Sequence, residues 1–123
     1  MEIQVLEKNR VRMARITCEH VLINAVDDAL DLMATIRYQT GCSRIILDST
    51  AFTVQFFDLK TRLAGEILQK FSTYQMKLAI IGDFLHVSSK SLRDFIYESN
   101  TGHDIFFVAS EAQAVSRLAG SET

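Results

Sequence analysis

The sequence predicts an α/β fold built on a mixed, mostly parallel sheet, and three observations carry that expectation. Apolar runs of strand length, Ile45-Ile46-Leu47, Leu78 to Ile81 and Ile105-Phe106-Phe107-Val108, stand between segments whose apolar residues recur at helical spacing. Runs of that kind read as strands covered on both faces. Their alternation with helices calls for right-handed crossovers and hence parallel pairing. The segment ahead of the first helix reads differently, as two strands joined by a short polar turn, which adds an antiparallel hairpin at the N-terminal side.

Taken in order, Ile3 to Leu6 and Val11 to Ile16 are the hairpin strands, separated by Glu7-Lys8-Asn9-Arg10. Ile3 and Val5, then Val11 and Met13, alternate with polar neighbours, so one face is expected to be buried. Asn24 is placed to cap a helix that carries Asp27 and Asp28 in its first turn and Val26, Ala29, Leu30, Met33 and Ile36 as its apolar stripe. Gly41 ends that helix, and Arg44 to Asp48 form the next strand. Asp58 reads as the cap of a second helix running to Tyr74, with Leu59, Leu63, Ile67, Leu68 and Phe71 inward. Gly65 interrupts it at a cost of about 1 kcal/mol relative to alanine. Close packing of helix on sheet is the expected compensation. Leu78 to Ile81, closed by Gly82-Asp83, is a strand, and Ser88 or Ser89 caps a third helix with Leu92, Phe95 and Ile96 that stops near Gly102. Asp104 to Ala109 is the last strand, and Ser110 with Gln113 forms a capping-box pattern opening a final helix through Val115 and Leu118. The predicted order is β-β-α-β-α-β-α-β-α.

Composition sets the outer limits. A chain of 123 residues, 48% apolar and 23% charged, suits one domain over residues 1–123 with a single core. Its 13 basic and 15 acidic residues give a net charge of −2 with no block of like charge. Binding to nucleic acid needs a concentrated basic face, and binding to a membrane surface needs a basic amphipathic helix. Neither partner is expected. The apolar runs fall far short of the roughly 20 residues that span a bilayer, and no secretory leader is visible, so the expected location is the cytoplasm. Cys18 and Cys42, far apart in such a chain, read as small core residues rather than a disulfide.

The element order and a central stretch resemble the STAS domain, named for sulfate transporters and anti-sigma factor antagonists. The residues concerned are Ile45-Ile46-Leu47-Asp48, Phe56-Phe57-Asp58, the helix from Leu59 to Tyr74, Lys77 to Gly82, and Ser110 to Ala114. More closely, Asp28 to Asp48, Phe56 to Phe71 and Ser91 to Val108 resemble a bacterial STAS-like family described as a domain of unknown function. The resemblance implies a partner-docking surface near the start of the second helix. It also exposes a departure. In anti-sigma factor antagonists the aspartate matching Asp58 is followed by a serine that a partner kinase phosphorylates, and here Leu59 stands in that place. Thr61 is the nearest hydroxyl, too deep in the first turn to be equivalent, so the phosphoserine switch is not carried over.

Several constellations invite chemistry. Asp48, Asp58 and Asp83 fall near the C-terminal ends of the parallel strands, where open α/β sheets bind ligands, and three acids there would suit a divalent cation. Capping by Asp58 and a turn at Asp83 explain the same residues more simply. Ser88-Ser89-Lys90-Ser91 has the ingredients of an anion site, yet no glycine-rich loop accompanies it. His20, His86 and His103 are scattered, Cys18-x-His20 lacks a second ligand pair, and no Gly-x-Ser-x-Gly occurs. No catalytic residue, metal or cofactor is therefore assigned.

The stretch Phe52 to Phe57 is apolar where a polar loop is usual, and Leu85 and Val87 lie in the next loop at the same edge. Burial in the core or an exposed patch for a partner both account for it. The expected function is a non-enzymatic regulatory protein-interaction module that docks a protein partner through Phe52 to Arg62 and Asp83 to Ser89. Phe56, Phe57 and Leu85 would supply apolar contact around Asp58, while Lys60 and Arg62 steer an acidic partner. The competing reading is a small metal- or phosphate-dependent enzyme or ligand-binding protein using Asp48, Asp58 and Asp83. A homodimer is the third.

Overall fold

The computed structural model describes residues 1–120. Strands β1 (Glu2–Lys8) and β2 (Val11–Thr17) pair antiparallel from Glu2 opposite Thr17 to Lys8 opposite Val11. Asn9 and Arg10, at φ of 55° and 67°, form a two-residue connection with both positions left-handed, the geometry whose twist matches a hairpin. The turn is therefore tighter than expected, because Glu7 and Lys8 belong to the strand.

Helix α1 (Val26–Thr40) follows, then β3 (Arg44–Asp48), α2 (Leu63–Thr73), β4 (Lys77–Ile81), α3 (Lys90–Thr101), β5 (Ile105–Val108) and α4 (Glu111–Ala119). The five strands lie in the order β1-β2-β3-β4-β5, with β2 to β5 mutually parallel. Each right-handed crossover in such a sequential order steps the same way, so α1, α2 and α3 share one face. There Ile36, Ile67, Phe71 and Ile96 pack on Ala14, Ile45, Leu47, Leu78, Ile80 and Phe107. Helix α4 follows the edge strand and is no crossover. It folds onto the opposite face, burying Ala114 and Leu118 against Met13, Ile46, Ala79, Phe106 and Val108.

The sheet is thus mixed, with four helices, as the sequence suggests. The order departs from expectation between β3 and α2, where three 3₁₀ turns intervene at Ser49–Ala51, Val54–Phe57 and Leu59–Thr61. Asp58 does cap, accepting the Lys60 N–H at 3.2 Å, but the turn it caps is only three residues long. Arg62 at φ 64° then breaks the path, and α2 starts at Leu63 rather than Leu59. The cap of α1 is also displaced. Asn24 does not cap with its side chain. Instead Asp28 reaches back and accepts the N–H groups of Asn24 and Ala25 at 2.9 and 3.1 Å. Gly41 at φ 74° ends α1 as expected, Ser89 rather than Ser88 caps α3, and Ser110 caps α4. Gly65 corrects a further expectation. It is exposed, and a methyl group placed on it would meet no atom within 4 Å, so no close helix-to-sheet contact requires it.

Candidate functional site

At the C-terminal ends of β3 and β4 the turns after β3 lie beside the loop after β4. Phe52 and Phe56, 3% and 1% exposed, are core residues whose ring centres lie 4.4 Å apart with the planes tilted by 41°. The row continues through Phe57, Phe84 and Phe107, with ring centres 5.0, 6.3 and 5.3 Å apart in turn. A parallel bridge from Ile23 to Phe52, with the Thr53 N–H donating to the Ile23 carbonyl at 2.9 Å, ties the segment to the chain before α1. Gly82 lets the two loops approach, since a β-carbon there would lie 2.8 Å from Ser49 Oγ and 2.9 Å from the Phe84 ring. Phe56 is therefore a closure of the core rather than a surface contact, and Phe57 is half-buried against it. The apolar side chains that do face solvent are Val54 and Leu85, 84% and 88% exposed.

Around them the polar groups are mostly committed locally. Thr61 Oγ1 lies 2.9 Å from the Gln55 carbonyl and 2.8 Å from that of Asp58, and it accepts the Leu63 N–H at 3.2 Å, so this hydroxyl serves as the hinge between two turns. Asp83 faces His86 Nδ1 at 3.0 Å and accepts the Leu85 N–H at 3.3 Å. The hydrogen bond from His86 holds the Asp83 carboxyl below its ordinary value of 3.8, helped by the histidine's charge and the backbone donor. Lys60 and Arg62 are exposed and make no ion pair among the described residues.

The three acids proposed as cation ligands do not converge. Asp48 is held by Arg15, whose Nη2 lies 3.1 and 3.2 Å from its two oxygens. The same guanidinium donates from Nε to Glu111 at 2.8 Å and from Nη1 to the Ile16 carbonyl at 2.9 Å. It thereby clamps β2, β3 and the start of α4, where an acid also suits the helix dipole. Asp58 is engaged in its cap and Asp83 with His86. Among the described residues no group of three His, Cys, Asp or Glu side chains could hold a metal ion. The Ser88 to Ser91 segment loses its cation as well, because Lys90 pairs with Asp94 at 2.7 Å, while Arg93 donates to the Val87 and Ser88 carbonyls at 3.0 and 2.9 Å. Cys18 and Cys42 are both free, the latter buried.

One feature escaped sequence reasoning. Along the outer edge of β5 a groove of about 710 Å³ runs between α3 and α4, bounded by Phe84, Leu85, Ile96, Asn100, Ala112 and Arg117. Asn100 lines its floor as a clasp, accepting the Phe107 N–H at 2.7 Å and donating to the Phe107 carbonyl at 3.1 Å. Gln113 accepts the next outward N–H, that of Ala109, at 2.8 Å. Arg117 donates to the Asn100 carbonyl and sits over the Phe106 ring at 4.4 Å. No spacing rule announces such a clasp, which exists only once α3 is folded against β5.

The architecture is that of a small α/β domain with a mixed five-stranded sheet and no helix, among the described residues, long and apolar enough to cross a membrane. Residues 8–118 match the model of a family described as a domain of unknown function, DUF4180, and the chain belongs to that family. No curated protein and no solved structure matches it.

Proposed function

We propose that the chain is a non-enzymatic, cytoplasmic regulatory module of STAS-like architecture that docks a protein partner through the turns Phe52 to Arg62 and the loop Asp83 to Ser89. The observation that carries this reading is the exposure of Leu85 and Val54, 88% and 84%, on adjoining loops, the second in the segment that also carries Lys60 and Arg62, which make no ion pair among the described residues. Exposed apolar side chains on loops that also offer two cations suit a partner with an apolar anchor and acidic groups. Phe57 contributes by backing the loop, and Phe56 by holding it to the core.

Leu85→Asp and Val54→Asp are the discriminating substitutions, because both side chains are exposed and their loss leaves packing intact. Each is expected to keep the wild-type melting temperature and to abolish capture of the partner retained by wild type. Capture unchanged by either sinks this surface. Phe57→Asp is less informative, since it also removes the ring contacts with Phe56 and Phe84. The groove beside β5 favours a second reading, a small-ligand binder, which a rise in melting temperature with metal ions, nucleotides or phosphate would support.

A further inference from the structure

The two edges of the sheet are finished differently. The outward N–H and C=O of Phe107 in β5 are taken by Asn100, and the N–H of Ala109, just past the strand, by Gln113. The outer edge of β1 has no such cover among the described residues. β1 pairs only with β2, and no described residue hydrogen-bonds its far side. The two-residue turn at Asn9-Arg10 makes Lys8 and Val11 a hydrogen-bonded pair, so bonding to β2 falls on Glu2, Gln4, Leu6 and Lys8. Ile3, Val5 and Glu7 consequently direct their N–H and C=O groups outward. An edge seven residues long with free polar groups is a template for another strand.

Charges on an edge strand ordinarily deter such pairing. Here their placement specifies it. Glu2 and Lys8 lie equally far from Val5 on either side, and side-chain alternation puts both on the α4 face of the sheet. We propose that the β1 edge is a homodimer interface at which β1 pairs antiparallel with β1 of a second copy, in the register that sets Val5 opposite Val5. That register overlaps the strands along their whole length. It joins Ile3 to Glu7 and Val5 to Val5 through the outward backbone groups, and sets Glu2 opposite Lys8 at both ends. Shifting by two residues either way, the least step that keeps the outward groups paired, separates Glu2 from Lys8. Val5, 40% exposed on the face covered by α1 to α3, then meets its own copy across the two-fold axis. Lys8 Nζ donates to Ser116 Oγ at 3.2 Å and retains further donors for the incoming carboxylate. The occupant is a second copy because the edge is complementary to itself, as a two-fold interface must be. This surface is distinct from the loops of the proposed docking site.

Sedimentation equilibrium of the full chain, from low to high micromolar, tests it. Wild type is expected to dimerise with concentration. Val5→Pro removes an outward N–H and no bond to β2, and proline is tolerated at such an edge, so the variant is expected to stay folded by circular dichroism and to remain monomeric. Glu2→Lys places like charges at both ends and is expected to weaken association roughly tenfold, as is Lys8→Glu. The double variant Glu2→Lys with Lys8→Glu restores the pairing and is expected to recover it, which fixes the register even if Val5→Pro fails to fold. A wild-type monomer at every concentration, or a dimer indifferent to the charge swaps, overturns the proposal. So does a monomer that instead takes up an unrelated extended peptide along β1.

Discussion

Gly65 lies on the solvent side of α2 with open space where a methyl group would sit, although a glycine inside that helix points in sequence to close packing on the sheet. It serves no contact, and its backbone is not left-handed. Gly65→Ala is therefore expected to stabilise the fold by about 0.5–1 kcal/mol, through lower entropy of the unfolded chain and better helix propensity. A urea titration would register this as a higher midpoint at unchanged slope. A lower midpoint would mean that the first turn of α2 needs glycine after all. Asp83 offers a second test at this scale. Its folded pKa is depressed, chiefly by the hydrogen bond from His86, so the pair steadies its loop above pH 3.8 and releases it as pH falls through the lower folded value. The side chains are largely exposed, which keeps the effect local. In His86→Ala the Asp83 carboxyl is expected to titrate higher, nearer 3.8, as followed by side-chain NMR. An unchanged midpoint would show that the backbone donor alone sets it.

At the scale of elements, the sequence was legible wherever one local interaction decides the outcome. Ser89 and Ser110 accept the third N–H of their helices at 3.2 Å each, Gly41 turns left-handed after α1, and the three apolar runs became buried parallel strands. Reading failed where two local signals compete. Asp58 is a good cap and was satisfied at once by a 3₁₀ turn, so the helix it announced begins four residues later. The break falls at Arg62, a residue with no intrinsic taste for the left-handed region it occupies, and hence gives no warning in sequence. Tertiary context supplies the reason. Phe56 must reach the core and Thr61 must bond both Gln55 and Asp58, which leaves no room for a helix from Leu59. The same context dissolved the acidic triad. Asp48 sits on β3 directly beside β2, and the parallel register brings Arg15 within its reach before any cation. Lys60, Arg62 and Leu85 are exposed, while Phe52 and Phe56 on the same turns are buried, a division that loop sequence without periodicity does not announce.

Among the described residues the sheet has one edge fastened at Phe107 and one free. Right-handed crossovers in sequential order placed three helices on one face, and the single helix left over covers the other. α3 and α4 consequently flank β5 from opposite sides, whereas no described residue hydrogen-bonds the outer edge of β1. Asn100 completes the fastening. Its side chain occupies the place of a neighbouring strand, supplying one donor and one acceptor to Phe107, which is only 4% exposed. Asn100→Ala leaves those two backbone groups facing an apolar groove. The expected cost is about 1–3 kcal/mol, against a gain of about 0.6 kcal/mol from the better helix former. The Arg117 bond to the Asn100 carbonyl survives the substitution, so the change isolates the clasp itself. A molecule with two open edges can also associate without closing, since pairing at β5 extends what pairing at β1 begins. Light scattering of Asn100→Ala is therefore expected to detect species larger than any formed by wild type, and adding Val5→Pro should cap their growth. If the variant keeps wild-type stability and size, water in the groove satisfies Phe107 as well as Asn100 does, and the edge of β5 is protected by the walls of α3 and α4 alone.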